Sequence, residues 1–288
     1  MFLLNFRTDL AIERREVSPH TDDGLKINEF SKQGIKITAI TVLNELGERA
    51  IGKPKGNYIT IEAEKSFDGG ELIDKTLVRI LCDELTKILP NGSAIVCGIG
   101  NKNITPDALG PDCISHILAT RHIGEELASS IGFDNLRSVT AISPGVLGQT
   151  GIEVCEFIKA IAEKTKPDFA IAIDALASRK ISRLGKTIQI SNTGIIPGSG
   201  VCNSRNELSE KTLGIPVISI GVPTVVDANT LVNDIAETEL EYKDASSMIV
   251  TPKEIDLLIE RSARLISHSI NCVLQPDIDE ESLLMLTE

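Results

Sequence analysis

The stretch of residues 94–111, AIVCGIGNKNITPDALGP, decides the fold. Its first four residues form a continuous apolar run with β-branched members, which is typical of a strand buried on both faces of a parallel sheet. Gly98 and Gly100 then permit a tight turn and a close approach of backbones, which a Cβ atom would obstruct. Helical apolar spacing begins after Pro111, so Asp107 lies in the loop between strand and helix. In open α/β sheets, ligands bind at this carboxyl edge of the strands.

A second acid, Asp174, follows another buried-strand pattern, FAIAI at residues 169–173. Because each strand carries its acid at its carboxyl end, we expect Asp107 and Asp174 to meet in one crevice. Neighbouring carboxyl groups cannot easily both ionise, so one of them keeps its proton. Such a pair supplies a base that activates water and an acid that protonates a leaving amine. The chemistry that fits this pair is hydrolysis of an amide.

Other kinds of site fit the sequence less well. A dinucleotide-binding loop needs a third glycine where this chain has Asn103, and the loop is too long and too interrupted by proline. The histidines show no zinc spacing, and no Cys–His or Ser–His triad has a local signature. A divalent ion held by Asp107, Asp174 and Asp227 could instead activate water. That metal-assisted mechanism and a non-catalytic α/β binding protein stay open as alternatives.

Composition and charge narrow the class of protein further. The 288 residues carry a formal net charge of −12, which argues against a nucleic-acid-binding surface. The six cysteines show no C-x-x-C pairing, so we expect a reducing compartment rather than a disulfide framework. The first residues lack the basic region and apolar core of a signal peptide, and no apolar run reaches the length of a membrane span. We therefore predict a cytoplasmic protein without membrane contact or direct nucleic-acid binding.

Strand and helix patterns alternate along the chain and predict an α/β fold. The expected elements are a β-hairpin-like pair at 34–43 and 57–63, helices at 68–89, 112–130 and 252–269, strands at 139–142, 188–190 and 216–222, a capping box at Thr150 and Glu153, and an acidic tail at 275–288. This order predicts a single domain of three layers. A mostly parallel central sheet would have helices on both faces and additional N-terminal β structure.

Motifs spread over nearly the whole chain resemble one family. They are NxxxTPDALGP (101–111), TRH (120–122), PGVxGQTGIE (144–153), DALASR (174–179), GVPTVVD (221–227) and VTPKEID (250–256). In these motifs the chain is similar to the germination proteases of spore-forming bacteria, whose fold is similar to that of hydrogenase-maturation proteases. The resemblance implies an endopeptidase that degrades small acid-soluble spore proteins at the onset of germination. Asp107 and Asp174 match the family's two candidate catalytic aspartates.

The resemblance implies further properties of the protein. The family suggests a homotetramer, located in the cytoplasm of the forespore or the spore core. Small acid-soluble spore proteins are the expected partners, as substrates. For an acid dyad we expect no cofactor and no metal ligand.

The N-terminus also resembles a family feature. Spore-protein sites cut by this family resemble Thr-Glu, then Ile or Phe, then Ala-Ser-Glu, with cleavage after the first acid. The segment TDLAIE at 8–13 has the same layout and departs from it at Asp9 and Ile12. Because the family removes a short propeptide at such a site by itself, residues 1–9 are predicted to be a propeptide and Asp9–Leu10 the bond cut. Residues 10–288 would form the peptidase domain. An ordinary edge strand or a frayed terminus is the alternative.

Basic residues near the predicted crevice are candidates for substrate binding. The implied substrate has acids on both sides of the cut, whereas the protein itself is strongly acidic. We therefore predict that Arg179 and Arg121 bind substrate carboxylates through fork-like contacts, and the family pattern places His122 near the cleft. The alternative is that these arginines are solvated or paired with nearby acids of the same chain.

Overall fold

The computed structural model describes residues 7–18, 22–63, 73–130, 133, 135–198, 206–236 and 248–287. Its strands are β1 (Leu25–Lys32), β2 (Ile35–Val42), β3 (Gly56–Glu62), β4 (Ala94–Gly98), β5 (Val139–Ile142), β6 (Phe169–Ser178), β7 (Thr187–Ser191), β8 (Val217–Asp227) and β9 (Ile249–Val250). Its helices are α1 (Ala11–Val17), α2 (Glu45–Ile51), α3 (Lys75–Thr86), α4 (Leu109–Ser115), α5 (Glu125–Ser130), α6 (Leu147–Thr150), α7 (Val154–Thr165), α8 (Glu210–Leu213), α9 (Ala228–Ala236), α10 (Ile255–Leu274) and α11 (Glu280–Thr287). A short 3-10 turn, Thr105–Asp107, precedes α4.

The strands form one sheet whose centre is parallel. Strands β5, β4, β6 and β8 lie side by side and all run in the same direction. Beyond β8 the sheet continues antiparallel through β7, β3, β2 and β1, and β9 pairs antiparallel with the end of β8. The predicted α/β fold, with a parallel centre and additional N-terminal β structure, is confirmed.

The central strands are buried on both faces, and their alternate side chains build two separate cores. In β6, Ile171 and Ile173 pack on one face with α3, α4 and α10, whereas Ala170 and Ala172 pack on the other face with α7. The isoleucine side chains of β6 therefore face the layer of three helices, and its alanine side chains face α7. A third cluster lies around the N-terminal strands, where Leu10 and Ile12 pack against Tyr58 and neighbouring apolar residues. The three-layer arrangement follows from this alternation.

Several predicted elements are present with different bounds. The two strands of the predicted hairpin-like pair do pair antiparallel, but α2 lies between them and the unpredicted β1 joins β2. The predicted helix at 112–130 is two helices, because α4 ends at Ser115 and α5 begins only at Glu125. The helix predicted at 68–89 is α3, which begins at Lys75, and residues 64–72 lie outside the described residues.

The capping-box prediction at Thr150 and Glu153 is wrong. Thr150 ends α6, and its hydroxyl oxygen accepts a hydrogen bond from the backbone of Ile152. Helix α7 begins at Val154, and Glu153 makes no side-chain cap. Near the C-terminus, α10 extends to Leu274, and the segment expected as an acidic tail contains α11. No helix in the described part of the chain combines the length and apolarity that a bilayer crossing would need.

Candidate active site

A cavity of about 480 Å³ lies at the carboxyl end of β4 and beside the second half of β6. Four acidic residues line it, namely Asp9, Asp107, Glu153 and Asp174. Its remaining wall is mainly apolar and includes Val146 and the first two residues of α6, Leu147 and Gly148. The structure therefore brings the two predicted catalytic aspartates together at the predicted edge.

Asp107 is fixed by the turn that leads from β4 into α4. Its Oδ2 atom accepts a hydrogen bond of 2.8 Å from the backbone N–H of Asn101. The Thr224 hydroxyl donates to the carbonyl of Pro106 over 2.7 Å, which ties the turn to β8. Gly100 has φ +126°, and a Cβ at this position would overlap the carbonyl oxygen of Asp107. The predicted close approach of backbones at this glycine is confirmed.

Asp174 lies inside β6 rather than after its end, because β6 continues beside β8 to Ser178. Its neighbour on the other side, β4, ends at Gly98, which pairs with Ile173. From Asp174 onward, β6 extends past the end of β4. The edge of β6 that paired with β4 is therefore open to the cavity from this residue on. The Asp174 residue is only 4% exposed, and its Oδ1 accepts a hydrogen bond from the N–H of Ala175.

Both aspartates are shifted toward the protonated form. Burial raises the pKa of Asp107 to about 6, although the hydrogen bond from Asn101 opposes this shift. Burial also raises the pKa of Asp174 well above its ordinary value, and the negative charges of Asp107 and Asp9 raise it further. At neutral pH the arrangement therefore favours an ionised Asp107 beside a protonated Asp174. This is an acid and a base in one cavity, as general acid–base hydrolysis requires.

The N-terminal segment lies across the end of β6 like an added piece of strand. The backbone N–H of Asp9 donates to the carbonyl of Ala177 over 2.9 Å, and the N–H of Ala177 donates to the Asp9 carboxylate over 2.8 Å. Gln189 holds the same segment from β7. Its amide nitrogen donates to the carbonyl of Asp9 over 3.1 Å, and its amide oxygen accepts from the N–H of Ala11.

Sequence reasoning missed Gln189. It has no motif, and its only signal was a glutamine in the middle of a strand whose residues are all buried. Such a residue needs hydrogen-bond partners inside the protein. Here the partners are the carbonyl of the Asp9–Leu10 peptide bond itself and the N–H of the following peptide bond, that of Ala11.

The residues after Asp9 are part of the protein's interior. Leu10 and Ala11 are 0% exposed, so α1 begins in a buried position instead of forming the edge strand or frayed end considered above. Glu13 is also 0% exposed, and its carboxylate accepts hydrogen bonds from the backbone N–H groups of Arg179 and Lys180 at 2.6 and 3.0 Å. This carboxylate thus anchors the N-terminal segment to the turn after β6. Of the predicted propeptide, residues 1–6 lie outside the described residues.

The predicted substrate-binding arginine Arg179 has a partner within the chain. Its guanidinium lies 3.0 Å from a carboxylate oxygen of Asp234 on α9. Arg179, Lys180 and Arg183 form a basic cluster after β6. Arg183 makes two hydrogen bonds of 2.9 and 2.6 Å to the carboxylate of Glu16. The cluster therefore neutralises acids of the same chain in this structure. An incoming carboxylate would have to displace Asp234 to reach Arg179.

Arg121 and His122 lie away from the aspartates. After α4 the chain returns to the amino edge of the sheet, where the N–H of Arg121 donates to the carbonyl of Val139 at the start of β5. Val139 pairs with Ala94, at the opposite end of β4 from the cavity. Both residues are exposed there. In this structure neither residue lines the cavity that holds the aspartates, because the chain after α4 lies at the opposite edge of the sheet.

Asp227, the third possible metal ligand, is engaged elsewhere. Its carboxylate forms an ion pair of 2.5 Å with Arg7 and accepts hydrogen bonds from the backbone and hydroxyl of Thr230. Within the described ranges, no three His, Cys, Asp or Glu side chains are grouped as ligands for a metal ion. The metal-assisted alternative therefore lacks the third ligand that it was expected to use.

Comparisons with known proteins agree on one family. The family model Peptidase_A25, described as germination protease, matches residues 7–247. The chain is 45% identical to the germination protease of Caldanaerobacter subterraneus subsp. tengcongensis, over 99% of each chain. It is 43% identical to that of Clostridium tetani, over 97% of this chain and 98% of the relative.

One solved structure was also matched. The [NiFe] hydrogenase maturation protease HycI from Thermococcus kodakarensis KOD1 aligns with 66% of this chain and 98% of its own, at 17% identity and a TM-score of 0.38. The family match, in contrast, covers most of the sequence at substantial identity. The chain therefore belongs to the germination protease family and is a protease.

Proposed function

We propose that this protein is an endopeptidase that hydrolyses small acid-soluble spore proteins during germination, and that it is made as a zymogen which cleaves itself after Asp9. The observation that carries the proposal is that Asp107 and Asp174 line one cavity and that the pKa values of both are raised. The substrate class comes from the family resemblance. The same resemblance supports a homotetramer and a location in the forespore or spore core.

The two aspartates have distinct roles in the proposed reaction. The ionised Asp107 takes a proton from a water molecule, whose oxygen attacks the carbonyl carbon of the peptide bond. The protonated Asp174 gives its proton to the leaving nitrogen as the C–N bond breaks. The proton now on Asp107 must then pass to Asp174, or exchange with solvent, before the next turnover. The mechanism needs one proton on the pair, so activity should fall when both groups are protonated and when both are ionised.

The contacts around Asp9 support self-cleavage at the predicted bond. The carbonyl of Asp9 accepts the Gln189 amide N–H, and a donor in this position can stabilise the negative charge that develops on that oxygen. Asp9 also lines the cavity that holds both catalytic candidates. On the other side of the bond, Leu10 is fully buried. A second protein molecule could not readily reach this bond, so we propose that cleavage occurs within one molecule.

The decisive experiment compares intact wild type with Asp107→Asn and Asp174→Asn by mass spectrometry over time, between pH 5 and 8. A spore-protein peptide gives the second readout. We expect the wild type to lose residues 1–9 and cut the peptide, and both variants to do neither. If the variants still cleave, these carboxylates are structural. If the wild type is inert until a divalent ion is added and is silenced again by a chelator, the metal-assisted mechanism replaces the dyad.

The same assay separates an enzyme from a binding protein. A non-catalytic α/β binding protein would retain the peptide without cutting it, whereas an endopeptidase releases two products. Product masses also report which bond is cut.

The proposed role of Arg179 has its own test. We propose that its guanidinium leaves Asp234 to bind a substrate carboxylate. Peptides with Glu or Gln before the cut are compared in the wild type, Arg179→Ala and the matched control Arg121→Ala. The proposal expects Arg179→Ala to lose activity selectively on the Glu peptide and Arg121→Ala to behave like the wild type. An equal loss on both peptides would show that Arg179 does not set this specificity.

A further inference from the structure

Two half-buried cysteines lie on adjacent helices of the layer behind the sheet, away from the proposed active site. Cys82 lies on α3 and Cys272 on α10, and these helices pack against each other. Near Cys272, the side-chain oxygen of Asn271 accepts a hydrogen bond from the backbone N–H of Leu118. The side-chain oxygen of Gln275 accepts one from the backbone N–H of Arg137. These contacts place the cysteines toward the amino edge of the sheet, opposite the aspartate cavity.

The two sulfur atoms share one local environment. The Cys82 thiol donates to the carbonyl of Ser269 over 3.5 Å. Ser269 precedes Cys272 by three residues on α10, which is the spacing of side chains on the same face of a helix. The Cys272 sulfur lies 3.6 Å from Nε2 of His268, one turn earlier. The two thiols are close enough for the ionisation of each to depend on the other.

The surroundings divide the pair into a thiolate and a thiol. Two neighbours lower the pKa of Cys272 to about 5 in spite of burial. The larger effect is the interaction with the Cys82 thiol, and the hydrogen bond with His268 adds to it. The same interaction with Cys272 raises the pKa of Cys82, and burial raises it further. Burial opposes charge on His268, but Cys272 and Glu280 raise the pKa of His268 on balance, and Glu280 Oε1 lies 3.5 Å from its Nε2. A thiolate beside a protonated histidine is the reactive form of a cysteine.

The other described cysteines lack these features. Cys97 and Cys113 are 0% exposed, and burial raises the pKa of both thiols. Cys155 is buried on α7. Reactivity toward oxidants follows thiolate character and exposure together. Among the described cysteines, the pair on α3 and α10 is the one in which a thiolate and a second thiol are both close and accessible.

We propose that Cys82 and Cys272 form a peroxide-reactive thiol pair that closes to a reversible disulfide between α3 and α10. The Cys272 thiolate attacks one oxygen of hydrogen peroxide, so that an S–O bond forms and the O–O bond breaks. The departing hydroxide takes the proton of His268 and leaves as water. The Cys82 sulfur then attacks the sulfenic sulfur of Cys272, an S–S bond forms, and the S–O bond breaks. The second hydroxide takes the Cys82 proton, so two thiols are oxidised while one peroxide becomes two waters.

The disulfide would act on the layer that supports the active site. Helix α10 also packs against α4 and against the turn that carries Asp107. A link from α3 to α10 would close a long loop of the chain and reduce the conformational freedom of the unfolded state. We therefore expect the oxidised protein to melt about 5 °C above the reduced protein.

The test uses reduced, full-length protein treated with one equivalent of hydrogen peroxide at pH 7. The proposal expects a loss of two hydrogens per chain by intact mass, reversed by dithiothreitol, and a non-reduced peptide map in which the α3 and α10 peptides are joined. Wild-type protein alone can refute the idea. Absence of this link, or equal oxidation of Cys155, would overturn it.

Variants identify the role of each residue. In Cys82→Ser, Cys272 should stop at sulfenic acid and be trapped by dimedone, whereas in Cys272→Ser, Cys82 should not react. Cys155→Ser is the matched control and should close the link like the wild type. His268→Asn should move the midpoint of the pH–alkylation profile of Cys272 upward by more than one unit, which a purely structural effect would not do. An unchanged midpoint would contradict the activation of Cys272 by His268.

Discussion

Replacement of Asp107 by asparagine should make the protein more stable at neutral pH, although it should abolish the proposed activity. The pKa of Asp107 rises from an ordinary value of 3.8 to about 6 because burial penalises its charge. Each pKa unit corresponds to about 1.4 kcal/mol, so the ionised carboxylate destabilises the folded state by up to about 3 kcal/mol. The group is half-buried and faces the cavity, so water there screens part of this penalty. We expect a gain of about 1–3 kcal/mol for Asp107→Asn at pH 7–8.

The sign of the effect follows from proton binding. Between about pH 4 and pH 6 the folded protein keeps a proton on Asp107 that the unfolded chain has already released. The stability of the wild type therefore falls as pH rises through this window, relative to the asparagine variant, and the difference levels off above it. Asparagine also removes the negative charge that raises the pKa of Asp174, which acts in the same direction.

Urea unfolding at pH values from 4 to 8 measures this difference. Circular dichroism is the suitable signal because the chain contains no tryptophan and two tyrosines. Each sample is checked by mass to be uncleaved, since loss of the N-terminus would change stability by itself. Asp256→Asn, at an exposed position on α10, controls for a general effect of removing one negative charge. A difference between wild type and Asp107→Asn that is independent of pH, or that reverses in sign, would refute the burial argument.

Three further predictions concern the N-terminal segment and the turn before Asp107. Gln189→Ala should slow self-cleavage by about 100-fold, because the Asp9 carbonyl loses its donor; a mass time course measures this rate, and an unchanged rate would dismiss the role of Gln189. Self-cleavage within one molecule should be first order, with a half-time that stays constant over a wide range of protein concentration. Gly100→Ala should destabilise the protein by more than about 2 kcal/mol, because its Cβ would overlap the Asp107 carbonyl at a positive φ. Gly34→Ala has a positive φ but open space around it, so urea unfolding should show a smaller loss there.

The sequence was most informative where local pattern and structure coincide. One short stretch contains strand β4, Gly100 and Asp107. Its apolar run and the loop after it were therefore enough to predict where they lie. Asp174 was found for the same reason, although pairing with β8 extends its strand further than the local pattern indicated. Strand β1 was missed because it is a half-exposed edge strand in which polar and apolar residues alternate weakly.

Long-range placement could not be obtained from local pattern. Arg121 was expected to bind a substrate carboxylate because the implied substrate is acidic, but α4 ends at Ser115 and the chain then returns to the amino edge. Gln189 and Glu13 depend on contacts between residues more than 160 positions apart. A sequence pattern reports the periodicity of one segment, whereas such contacts depend on which segments the folded sheet brings together.

The geometry of the N-terminus connects the proposed self-cleavage with the electrostatics of the active site. Leu10 and Glu13 are buried and anchored, so a cut after Asp9 would leave the core and α1 in place. Asp9 itself would be severed from the buried Leu10, so that the released segment can leave the cavity. Because the charge of Asp9 raises the pKa of Asp174, its departure would lower that pKa. The same cut would therefore open the cavity and adjust the acid of the proposed dyad.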